Sequence, residues 1–159
     1  MTTRPEDGHT YRLRLDWQGD PRVGTASYQA YDRGYRITLA GKPALAGSAD
    51  PAFRGDPARH NPEDLLLAAL SACHMLSYLA LCARRGVTVL EYSDEAEAVL
   101  VLTADGGGHF ASATLRPRVR VKAPEQAALA RSLHAEAHAT CFIASSCQFP
   151  VRVESTGAG

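Results

Sequence analysis

Residues 65–83 contain no Asp, Glu, Lys or Arg, an uncharged run of 19 residues. A stretch that long and apolar is either a membrane span or a helix buried on nearly every side. It holds Ser71, His74, Ser77 and Tyr78, and it is the only such run in the chain. The strand-like segments on both sides of it need an apolar surface to pack on. These features favour a buried helix and no membrane. Asn61 is a good cap for it, Pro62 suits the first helical position, and Asp64 follows the cap by three residues. Arg84 and Arg85 close the last turn and Gly86 stops it. About 24 residues at ~1.5 Å each give a rod of roughly 36 Å.

On the N-terminal side, Tyr11, Leu13, Leu15 and Trp17 alternate with Arg12, Arg14 and Asp16, the pattern of a half-buried strand. Residues 25–31 and 35–39 read as two more strands around Asp32, Arg33 and Gly34. Residues 42–59, rich in Pro and Gly, read as a long ordered loop anchored by Leu45 and Phe53. After the helix come a short strand over 87–92, an alternating strand over 95–103, a turn at 105–108 and a returning strand over 110–121. A second helix follows Pro124 with Leu129, Leu133 and Ala137 on one face. Residues 141–147 form a short turn or helix, and 149–153 a last strand. The expectation is one α+β domain over residues 1–159, with 1–10 as a flexible tail. One sheet covers only one side of a long apolar helix, and a chain of 159 residues leaves little for the other. A second copy would supply it, so a homodimer is expected.

Lys and Arg number 17, as do Asp and Glu, so the formal net charge is zero and no global field draws nucleic acid. Arg116, Arg118, Arg120 and Lys122 fall on alternate strand positions, which makes them one solvated face. The N-terminus, MTTRPEDGHT, lacks the apolar stretch of a signal peptide, so a cytoplasmic location is expected, where thiols stay reduced. Of the four cysteines, Cys73 lies mid-helix and reads equally as a small core side chain. Cys141 follows the second helix and has the same plain reading. Cys82 is structural. Cys147 stands six residues after Cys141, a spacing at which a local disulfide is sterically conceivable. His134 and His138 are four apart on a helix, but close Cys pairs or a His-Glu-x-x-His string are missing. They read as helix-surface histidines rather than metal ligands. His109 reads as a turn residue. No Gly-x-Ser-x-Gly elbow and no phosphate-binding glycine loop is present.

Two segments, NPEDLLLAALSACHMLSYLALC and AHATCFIASSCQFPV, resemble the OsmC/Ohr family, the osmotically induced and organic hydroperoxide resistance proteins. The resemblance covers residues 17–153, and its wording is closer to the OsmC-like branch. It implies an intertwined homodimer in which antiparallel sheets wrap long central helices, with the active site at the subunit interface. It also implies a thiol peroxidase of oxidative-stress defence, acting on organic and also on hydrogen peroxide. The family's reactive cysteine falls on Cys73, its resolving cysteine on Cys141 and its glutamate on Glu63. Its arginine falls on Arg54, in the loop before Asn-Pro-Glu, with Arg33 and Arg36 as the alternatives from an earlier loop. No metal, haem or flavin is implied. The reductant is an external dithiol or a lipoylated protein. The competing expectation is a non-catalytic stress protein or an apolar-ligand-binding domain of the same family.

Physical chemistry sets conditions on such a site. A thiol of ordinary acidity is only a few per cent thiolate at pH 7, and an adjacent guanidinium raises that fraction. The same cation stabilises charge on the departing oxygen. A carboxylate holds the guanidinium in place but has to stay off the sulfur, where it would oppose ionisation. Glu63 precedes Cys73 by ten residues, ~15 Å of rise on a straight helix. Either the helix breaks between them or the site combines groups from two chains.

Overall fold

The computed structural model describes residues 8–156. The first seven residues of the expected tail lie outside that range. Two compact units divide the chain, Met1–Leu65 and Leu66–Gly159.

In the first unit, β1 (Arg14–Trp17), β2 (Tyr35–Thr38) and β3 (Leu45–Gly47) form an antiparallel sheet in that order. Tyr35 stands opposite both Trp17 and Gly47. A side chain at Gly47 would run into the Tyr35 ring, so the glycine is what lets the ring lie across β3. The strand expected over 25–31 is absent; these residues form turns. Arg33 accounts for it, since its guanidinium lies over the rings of Tyr31 and Tyr28, 3.6 and 4.6 Å from their centroids, and donates to both their carbonyls. Backbone carbonyls engaged that way do not pair in a ladder. The apolar face expected to be half-buried in β1 is open within this chain: Leu13, Leu15 and Trp17 are all exposed. The long loop carries β3 and a 3-10 turn, Pro51–Phe53, which Asp50 caps by accepting from the Ala52 N–H at 2.7 Å.

Helix α1 (Pro62–Arg84) starts as its sequence requires. Asn61 Oδ1 accepts from the Asp64 N–H at 2.8 Å, and Asp64 answers by accepting from the Asn61 N–H at 3.2 Å, a reciprocal capping box. It ends at Gly86, whose φ of 72° is the left-handed stop a glycine provides without strain.

In the second unit, β4 (Val89–Asp94) pairs with β7 (Pro117–Val121), and β5 (Glu97–Leu102), β6 (Gly108–Leu115) and β8 (Val151–Val153) form a separate sheet. The single strand expected over 110–121 is therefore two strands in two sheets. Arg116 is the break: its N–H turns aside to Asp94 Oδ1 at 2.6 Å, and Pro117 has no N–H to continue the ladder. His109 belongs to β6 rather than to a turn. Helix α2 (Ala127–Thr140) lays Ala130, Leu133 and Ala137 into a core with Tyr78, Leu81 and Cys82 of α1 and Val119 and Val121 of β7. A 3-10 turn, Ala144–Ser146, follows. The arginines of β7 and its neighbourhood form a solvated ladder of ion pairs, Arg120 with Glu91, Arg118 with Glu95, and Arg116 with Glu97 and Glu154.

α1 is long and apolar enough to cross a membrane by length and composition alone. Its contacts give it a different role. Leu70, His74, Tyr78, Leu81 and Cys82 are buried, and Tyr78 donates to the Ala130 carbonyl of α2 at 3.0 Å. The burial is one-sided, against the expectation of a helix enclosed on every side. Leu76 keeps 63% of its surface.

Candidate active site

Cys73 is carried by the middle of α1 and Cys141 by the residue that caps the end of α2. Packing of α2 on α1 brings the two side chains near enough for Cys73 to influence the Cys141 thiol. Both are free thiols; Cys73 is half-buried and Cys141 is 1% exposed. Burial pushes the Cys141 thiol above its ordinary range, and the Cys73 side chain pushes the same way. Against the burial stands chiefly the backbone N–H of Ala144, and least the N–H of Ile143, both of which favour the thiolate. Cys147 is also a free thiol, half-buried, and donates to the Ile143 carbonyl at 3.3 Å. Cys82 is buried beneath Tyr78, as its structural reading requires.

Arg54 and Glu63 belong to the first unit. Arg54 ends the 3-10 turn with φ of 67°, the only non-glycine in the left-handed region among the described residues. Its guanidinium is exposed and makes one long bond, to the Gln29 carbonyl at 3.5 Å. It lines a polar cavity of about 340 Å³ with Arg33, Asp32 and Asp56. Arg33 is spent on its two tyrosines, and Arg36 is exposed on β2. Of the three candidates, Arg54 thus has the freest guanidinium in contact with a cavity. Glu63 sits in the first turn of α1, where the helix dipole favours a carboxylate, and its charge is felt at the Tyr35 hydroxyl. Among the described residues no ion pair joins Arg54 to Glu63. α1 does not break between Glu63 and Cys73.

The two helices that carry the thiols also hold a polar cluster that sequence reasoning missed. His74 Nε2 and His134 Nδ1 are 3.0 Å apart, and the His134 ring stacks on Tyr78 at 3.9 Å. His134 is 5% exposed, not a helix-surface histidine. Burial, and then each ring's charged histidine neighbour, pull His74 and His134 down to about 4, with Asp94 opposing. Asp94 itself accepts from Ser71 Oγ at 2.5 Å. The signal for the cluster was in the chain. Leu70, His74, Tyr78 and Cys82 recur every four residues, one stripe of α1 that must face the core.

Comparison with known proteins agrees with this architecture. No curated protein sequence matches the chain. An OsmC-like protein of unknown function from Vibrio cholerae O1 biovar eltor is 27% identical, with a TM-score of 0.83 over 94% of this chain and 100% of that one. Two organic hydroperoxide resistance proteins share the fold. The one from Elizabethkingia anophelis is 16% identical (TM-score 0.65, 95% and 98% covered), and that of Bacillus subtilis is 19% identical (TM-score 0.60, 92% and 98% covered). Residues 55–156, which carry both thiols and the whole of α1, match the OsmC-like protein family, and the chain belongs to it.

Proposed function

We propose that this protein is a thiol peroxidase that reduces organic hydroperoxides in cytoplasmic oxidative-stress defence. The observation that carries the reading is the proximity of Cys73 to Cys141, one thiol half-open and the other enclosed. The fold it shares with organic hydroperoxide resistance proteins supports the substrate class.

In the proposed cycle the Cys73 thiolate attacks the distal peroxide oxygen and the O–O bond breaks. The alkoxide leaves, takes a proton and departs as alcohol, and Cys73 becomes a sulfenic acid. The Cys141 sulfur then displaces water to form a disulfide. An external dithiol or lipoylated protein reduces it by exchange and is itself oxidised to a disulfide. Arg54 takes the role of the cation that keeps Cys73 ionised and meets the developing oxyanion, and Glu63 that of the carboxylate holding a guanidinium. The exposed apolar side of α1, marked by Leu76, supports a homodimer that completes the site.

A second reading, binding of an apolar ligand without chemistry, draws on a cavity of about 680 Å³ lined by Leu66, Phe110, Phe149 and Cys147. Its size suits a small molecule, and neither Cys73 nor Cys141 lines it. Consumption of cumene hydroperoxide with dithiothreitol separates the two. Wild type consumes it, Cys73→Ser does not, and Cys141→Ser accumulates sulfinic acid on Cys73, visible by mass. Equal behaviour of both variants and wild type overturns the peroxidase reading in favour of binding.

A further inference from the structure

The cavity of about 680 Å³ and the thiol pair share one short piece of chain, the turn from Cys141 to Cys147. At its near end the N–H groups of Ala144 and Ile143 face the Cys141 sulfur closely enough to favour its thiolate. At its far end the carbonyls of the same two residues hold Cys147. Ile143 accepts from the Cys147 thiol at 3.3 Å, and Ala144 accepts from the Cys147 N–H at 3.2 Å. The carbonyls before them are taken as well. Cys141 accepts from the Ser145 N–H at 3.0 Å, and Phe142 from the Ser145 and Ser146 hydroxyls at 3.0 and 2.8 Å. A turn bonded this thoroughly moves as a unit, so a change at the Cys141 sulfur is carried to Cys147.

Cys147 lines the cavity together with Phe149 and Pro150, which continue from the turn. Leu66 of α1 and Phe110 and Ala111 of β6 complete its apolar lining, and the Phe110 and Phe149 rings lie 5.3 Å apart. No Asp, Glu, Lys or Arg is among the described residues that line it, so nothing there offsets the cost of enclosing a charge. Its volume is that of a site for a small molecule. The occupant it fits is therefore uncharged and mainly apolar. All four cysteines are free thiols, so this is the cavity of the reduced protein.

When a Cys73–Cys141 disulfide forms, the Cys141 sulfur can no longer become the thiolate that those two N–H groups favour. The turn loses what holds its near end, and the wall built on its far end shifts with it. We propose that the cavity binds an uncharged, mainly apolar small molecule, and that the Cys141–Cys147 turn couples its occupancy to the redox state of Cys141. The ligand favours the dithiol, because the cavity is formed in that state. This rests on the peroxidase reading only for the oxidant. Closing the disulfide takes two electrons and two protons from the thiols, and in the proposed cycle the peroxide receives them and leaves as alcohol and water. By linkage, a ligand that binds the dithiol form more tightly opposes the disulfide by the same factor.

The test uses Nile red, an uncharged aromatic dye whose fluorescence rises in apolar surroundings. The dye is titrated into full-length protein kept reduced. It is also titrated into protein oxidised with diamide and shown by mass mapping to carry the Cys73–Cys141 link. Diamide receives the two electrons and two protons and becomes a hydrazine. Reduced protein is expected to bind the dye at one saturable site, at least about fivefold tighter than oxidised protein. Saturating dye should shift the equilibrium with dithiothreitol toward the protein thiols by the same factor. Ala111→Trp, at an exposed position of β6, fills the cavity and should weaken binding about tenfold or more. Hydrogen exchange on the wild type needs no variant. The dye should slow exchange over residues 146–149, and oxidation should quicken it over 143–147. Equal affinity in the two redox states overturns the coupling, as does a failure of diamide to link Cys73 to Cys141. Absence of saturable binding, or dye that leaves exchange over 146–149 unchanged, overturns the site. A wild type that shows the fivefold difference but consumes no peroxide upholds the coupling and counts against the peroxidase reading alone.

Discussion

Nε2 of His74 lies 3.0 Å from Nδ1 of His134 in a core that holds both rings neutral. This makes the protein sensitive to mild acid. In the unfolded chain each histidine titrates near 6.5, whereas in the fold both are pulled down to about 4. Between those values the unfolded chain binds more protons, so stability falls as pH drops through the window. The contribution is complete above about pH 6.5, and the loss levels off below about pH 4, reaching on the order of 3 kcal/mol for the first ring. The carboxylates held low by arginine partners, such as Asp16 and Asp20, are exposed and add little. Urea unfolding midpoints at pH 7, 5.5 and 4.5 check this; a midpoint that does not fall contradicts it.

Tyr78→Phe tests the anchor beneath the pair. The hydroxyl is buried and donates to the Ala130 carbonyl at 3.0 Å, tying α1 to α2 one turn before His134. Removing it leaves the ring stack intact and costs about 1 kcal/mol, the net worth of one buried hydrogen bond. Chemical denaturation should report that loss with an unchanged m-value.

The start of α1 offers a sharper test of local sequence logic. Asn61 is 8% exposed, caps the helix through Asp64 and also donates from Nδ2 to Asp50 Oδ2 at 3.3 Å. Asn61→Ala removes both bonds and should destabilise by about 1–2 kcal/mol. Asn61→Asp keeps the cap but sets a carboxylate against Asp50, so its stability should recover as pH falls and the pair takes up a proton.

These tests divide along the line between what the chain states locally and what only packing decides. Asn61, Pro62, Asp64 and Gly86 mark α1 because caps and stops act over a few residues, and the helix has those limits. The Asp105–Gly106 turn between β5 and β6 was legible for the same reason. Residues 25–31 read as a strand, since alternation says nothing of Arg33 reaching back to claim the carbonyls of Tyr28 and Tyr31. The break at Arg116 depends on Asp94, 22 residues earlier, and is invisible in a local window. At the site, the meeting of Cys73 with Cys141 was suggested by resemblance to a family, not by any spacing within the chain. His74 and His134 are 60 residues apart, and neither one alone announces the other.

Arg54 and Gly55 close the Asp50 turn by two different devices, which should separate stability from activity. Arg54 holds φ of 67°, a conformation that costs an L side chain roughly 1–2 kcal/mol. A turn stabilised only for folding would place glycine there, so the strain points to use of the side chain. Arg54→Gly should leave stability unchanged or raise it by up to about 1 kcal/mol, the relieved strain being partly offset by the freedom glycine gains when unfolded. Peroxide turnover should fall by at least about tenfold if the guanidinium stabilises the departing oxygen. Gly55 is irreplaceable for the opposite reason. A Cβ there would stand 1.6 Å from the Ala49 carbonyl oxygen, a backbone atom that cannot rotate away, while the Gly55 N–H is bonded to Asp50 at 3.0 Å. Gly55→Ala should therefore destabilise by about 3 kcal/mol and displace Arg54 with it. Thermal melting and cumene hydroperoxide turnover measured on both variants decide the matter. A stable but inactive Arg54→Gly beside an unstable Gly55→Ala supports a strained arginine kept for chemistry, whereas a fully active Arg54→Gly removes Arg54 from the site.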